Sequence, residues 1–115
     1  MSLTLCELQK RILHFRDARD WAQFHTAKDL AMSLSIEANE LLELFLWKDS
    51  AKAKPEHIAD EIADVIHTTL LIAEHFNIDV EQACTAKLKK NGAKYPVETS
   101  KGTNLKYSEL KAKDV

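Results

Sequence analysis

A chain of 115 residues has room for one domain, and 45% hydrophobic with 30% charged residues is an ordinary globular balance. The formal net charge of −2, from sixteen basic and eighteen acidic residues, argues against a surface built for polyanions, so no nucleic-acid partner is expected. Two glycines and two prolines are too few for a turn-rich β fold and favour long helices with short links.

The helices are taken in chain order. Leu5, Leu8, Ile12 and Phe15 recur at helical spacing, and Thr4 with Glu7 forms a capping-box pattern that starts a helix running to about Arg19. The start of the chain is amphipathic, with acids early, unlike a secretory leader. DWAQFHT, from Asp20 to Thr26, breaks the period and is read as a loop. A second helix is expected from Ala27 to Trp47, with Leu30, Leu34, Leu41 and Leu44 as its stripe and Ile36 and Phe45 beside it. KDSAKAK, from Lys48 to Lys54, is a polar connection, and Pro55 suits the first turn of a third helix reaching Phe76. Asn77 breaks that helix, and Asp79 is placed to cap a fourth that ends around Ala93, marked by Gly92 and Pro96. The expected architecture is all-α, a four-helix bundle over residues 1–96, followed by a polar tail over 97–115.

Cys6 and Cys84 lack a CxxC spacing and read as free thiols. No stretch approaches the roughly 18 to 20 apolar residues of a membrane span. A cytoplasmic protein without a membrane partner is the expectation.

Four acids contradict the apolar pattern. At about 100° per residue, Leu30, Leu34, Leu41 and Leu44 fall within about 60° of Glu37, so Glu37 lies on the apolar stripe and Glu40 at its edge. On the third helix Ile58, Ile62 and Val65 fall within about 100° of Glu61, and Asp64 lies just to its other side. Two helices thus each aim a pair of carboxylates inward. Unpaired ionised carboxylates removed from water cost several kcal/mol, and four together also repel. No arginine follows Arg19, so inward bases are scarce. A hard cation resolves the conflict: Mg2+, with Mn2+ able to substitute, suits oxygen-only ligands and adds substrate phosphates. Glu43 and Asp60 point further round their helices and are left as outer or surface acids. Di-iron chemistry is disfavoured, because Asp64 and His67 give one acid-x-x-His pair where two Glu-x-x-His motifs are needed.

SIEANELLELFLW followed by DEIADVI resembles the hallmark ExxE and ExxD of the MazG-like all-α nucleotide pyrophosphohydrolases. RDWAQFH and KLKKNGAKYPV extend the likeness to the small dCTP pyrophosphatase branch, over roughly Arg19 to Tyr107. The resemblance implies hydrolysis of a nucleoside triphosphate to monophosphate and pyrophosphate, with Glu37, Glu40, Glu61 and Asp64 as metal-holding catalytic residues. It implies that Trp21 and Trp47 pack around the base, that His25 contacts the nucleotide, and that Lys87, Asn91 and, more weakly, Lys94 lie near the phosphates. Trp47 could serve a neighbouring copy, since the resemblance also implies a homodimer or a homotetramer built from dimers. Thr68 departs from a tyrosine common in the dCTP branch, and Asn39 from a small residue; the first loosens the expected preference for cytosine. Competing readings are a non-catalytic helical interaction module, or a related pyrophosphohydrolase acting on dUTP or a phosphoribosyl nucleotide.

Overall fold

A computed structural model describes residues 2–47 and 52–113, with helices as the regular structure and no strand among the described residues. Helix α1 spans Leu5–Ala18, α2 Ala27–Leu46, α3 Pro55–His75, α4 Val80–Lys94, α5 Val97–Ser100 and α6 Tyr107–Lys113. A short 3-10 turn at Trp21–Phe24 occupies the segment expected to be a loop.

Several boundaries have a local cause. Glu7 donates its backbone N–H to Thr4 Oγ1 (3.1 Å), and Thr4 N–H reaches Glu7 Oε2 (2.8 Å), which completes the capping box of α1. Asp20 closes α1 in the left-handed region at φ +54°, where a short polar side chain is tolerated. Thr26 caps α2 through Asp29 N–H, and Pro55 sits in the first turn of α3, where a missing N–H costs nothing. Asn77, at φ +52°, ends α3 in a Schellman motif, with Ile78 N–H on the Ala73 carbonyl and Asn77 N–H on that of Glu74.

The chain divides into two compact units, one up to Asp79 and the other from Val80 onward. In the first, α3 packs against both α2 and α1, with the larger interface to α2. Leu70 (2% exposed), Leu30 and Ala73 form its core, and Gln9 Nε2 donates to the Leu70 carbonyl at 2.9 Å, tying α1 to α3. Within this unit the packing is of three helices; α4 belongs to the second unit. The second unit also holds α5 and α6, where the sequence suggests only a polar tail. Leu110 of α6 is 3% exposed, and a helix of seven residues is too short for its period to stand out in sequence. Helix α4 ends at Lys94, within one residue of the expected end, with Gly92 in its last turn. Of the connection 48–54, residues 48–51 lie outside the described set, as do 114 and 115. No described helix is long and apolar enough to cross a membrane.

Candidate active site

The interface of α2 and α3 gathers the four anomalous acids. Glu37 and Glu40 leave α2 one turn apart, Glu61 and Asp64 leave α3 one turn apart, and each offers a carboxylate oxygen within 4.8 Å of the others. An i, i+3 pair shares one helix face, so two such pairs on packed helices meet without any loop having to position them. Glu37, Glu40 and Glu61 are half-buried, and Asp64 is exposed.

The electrostatics are unfavourable without a cation. Removal from water, reinforced by Glu40, Asp64 and Glu61, raises the Glu37 pKa from 4.5 to about 6. Partial desolvation and the neighbouring Glu40 also push Glu61 upward. Glu37 Oε2 and Glu61 Oε2 are buried with no hydrogen-bond partner. Arg16 is in an ion pair with Asp17 at 2.8 Å and in none with the four. Buried acceptor atoms without a donor are costly, and a hard divalent ion removes both this penalty and the mutual repulsion. The residues therefore fit a Mg2+-type ion, by donor chemistry and by the two orphaned oxygens.

A cavity of about 290 Å³ adjoins the cluster, with Glu37 in its wall. Helix α1 contributes Ile12, Phe15 and Arg16, the 3-10 turn and the residue after it contribute Trp21 and His25, α2 adds Leu30 and Ser33, and α3 adds His67, Thr68 and Leu71. The aromatic wall is braced: Phe15 meets Trp21 edge-on at 5.9 Å between centroids, and the Arg19 guanidinium lies 3.6 Å over the Phe15 ring. His75 Nε2 donates to the His25 carbonyl, fastening this turn to the end of α3. Thr68 is buried, and its hydroxyl donates to the Asp64 carbonyl at 3.0 Å.

Of the residues singled out in sequence, the quartet comes together, and Trp21 and His25 reach the cavity that adjoins it. Trp47 does not line that cavity; it follows the end of α2 and is 91% exposed. Lys87, Asn91 and Lys94 lie on α4, in the second unit, where Lys94 Nζ stands 5.9 Å from the Tyr107 ring centroid. Arg16, Ser33 and His67 were not assigned to the site from sequence. The signal for Arg16 was present: it lies four residues after Ile12 and next to Phe15, at the margin of the α1 stripe.

The sequence profile of the MazG-like family matches residues 32–110. The chain is 32% identical to rat dCTP pyrophosphatase 1 and 30% identical to the human protein of that name, covering 93% of this chain and 68% of each relative. Its backbone is similar to that of a pyrophosphatase from Archaeoglobus fulgidus, with a TM-score of 0.75, 36% identity, and coverage of 84% of this chain and 95% of that one. With enzymes on both sides of these comparisons, a non-catalytic interaction module has no support.

Proposed function

The chain belongs to the MazG-like family and is a pyrophosphohydrolase, and on that premise we propose that it converts a deoxynucleoside triphosphate, dCTP foremost, to the monophosphate and pyrophosphate. The observation that carries this reading is the quartet with its two orphaned oxygens beside a cavity large enough to hold part of a small ligand. Cavity volumes of ~300–1,000 Å³ are usual for small-molecule sites.

In this reading Glu37, Glu40, Glu61 and Asp64 hold Mg2+, which when bound neutralises phosphate charge and orients groups for in-line displacement. One of the carboxylates accepts the proton of the attacking water, whose oxygen bonds to phosphorus as pyrophosphate leaves. Trp21 offers an apolar surface to the base, and His25 fixes the turn that carries it. Lys87 and Asn91, with Lys94 less directly, are assigned to the phosphates by likeness to the family. Residues 1–96 are taken as the catalytic domain. The role fits removal of canonical or modified nucleotides from the pool. Purified protein with Mg2+ and each dNTP, dUTP and a phosphoribosyl nucleotide, followed by pyrophosphate release, tests this. We expect turnover of dNTPs, fastest with dCTP; no turnover with any nucleotide overturns it.

Self-association belongs to the same proposal. Met32, Ile36, Leu42 and Leu46 are more than half or half exposed and fall within about 120° on the face of α2 opposite Glu37. Such a stripe on one helix is costly in water and suits a second copy. Trp47, exposed at the end of that helix, would then reach the partner's nucleotide. Light scattering is expected to give a dimer or tetramer at micromolar concentration, and a monomer alone counts against it.

A further inference from the structure

We infer that Arg16 determines base specificity, its guanidinium reading the acceptor edge of the nucleobase from the cavity wall next to Glu37. This rests on the reading above, in which the phosphates lie at the quartet and the nucleoside enters the adjoining cavity. The wall offers apolar surface for a ring, from Phe15, Trp21 and Leu71 among others, and for its edge the side chains of Arg16, His25, Ser33, Glu37, His67 and Thr68. Thr68 spends its hydroxyl proton on the Asp64 carbonyl. Arg16 is the one permanently charged donor among the lining residues, and its side chain is only 17% exposed. Its Nε and Nη2 share a single oxygen of Asp17, at 2.9 and 2.8 Å. That partner is more than half exposed, and such a surface pair holds an arginine weakly. The guanidinium therefore has donors to spare and little to keep it from a ligand.

A planar, donor-only fork matches two adjacent acceptors. Cytosine presents O2 and N3 side by side. Thymine and uracil place an N–H between their carbonyls, and adenine places an amino donor beside each edge acceptor. Guanine has an acceptor pair at O6 and N7, the pair that arginine reads in DNA, but its second ring asks more of a cavity of about 290 Å³. The geometry thus favours a cytosine nucleotide, and it does so without the phenol that Thr68 replaces.

The test compares kcat and KM for dCTP, dTTP and dATP in the native protein, Arg16→Ala and Arg16→Lys. A good bidentate contact to a base is worth roughly ten-fold or more in discrimination. Arg16→Ala is expected to lower kcat/KM for dCTP about ten-fold or more, mainly through KM, and to leave dTTP and dATP within about two-fold. Arg16→Lys keeps the charge without the fork and is expected to remain impaired on dCTP; it carries the same comparison should the alanine variant fail to fold. Melting temperature and Mg2+ binding are measured on both variants and are expected to match the native protein. An equal loss on all three nucleotides, full activity of Arg16→Lys, or a native protein without preference for dCTP overturns the assignment while leaving the pyrophosphohydrolase reading in place. Failure of the native protein on every nucleotide overturns that reading itself, and this inference with it.

Discussion

Glu40→Gln is expected to lower kcat/KM by about 100-fold or more on every nucleotide the native protein hydrolyses, the order of loss when one preorganised charge-stabilising group is removed. Glu40 is the natural choice because, of the neighbouring acids, it contributes most to the raised proton affinity of both Glu37 and Glu61. Glutamine keeps the volume and one carbonyl oxygen while removing the charge that a cation needs. Mg2+ binding, followed by calorimetry, should weaken in parallel. A variant with near-native activity would remove the quartet from the mechanism. Loss on one nucleotide alone would move Glu40 from metal holding to base selection.

Glu37→Gln is expected to raise the melting temperature of metal-free protein at pH 7 and to leave it unchanged near pH 4.5. The sign follows from the direction of the shift. Glu37 titrates near 4.5 when unfolded and at about 6 when folded, so the folded state binds more protons in between. Its contribution is fully favourable below the unfolded value and is lost as pH rises through the folded one. A shift of this size, discounted for the solvent that reaches a half-buried group, corresponds to ~1 kcal/mol, or about 4 °C in a domain of this length. The native protein with Mg2+ should regain this loss and more, since saturation at about 100 times Kd adds ~2.7 kcal/mol. The gain should be larger at pH 7 than at pH 5, where protons compete for the same oxygens. Thermal melts of both proteins across pH 4.5 to 8, with and without Mg2+, measure all of this. A difference between them that does not change with pH would mean that the carboxylate of Glu37 carries no such electrostatic cost.

Much of this is legible in the amino-acid sequence. The capping box at Thr4, Pro55 in a first turn and Asn77 at a helix end are local signals, each acting within about one turn of chain. The 3-10 turn at Trp21–Phe24 and the helix at Tyr107–Lys113 were not legible, because both are shorter than the window over which a period can be counted. Trp47 shows a different limit. It stands beside an apolar stripe in sequence, yet at the end of α2 it is 91% exposed.

The helical character of this protein, and the carboxylate pairs on the apolar faces of two of its helices, are readable from the chain alone. Both follow from residue spacing, because a helix converts spacing into direction without reference to the rest of the fold. That the four acids converge within 4.8 Å, that two of their oxygens lack partners, and that Arg16 and His67 share a cavity with Trp21 and Glu37 emerge with the packing. The reason is that these contacts join residues up to about fifty positions apart. Their distances depend on how α1, α2 and α3 pack, which no periodicity along one helix records.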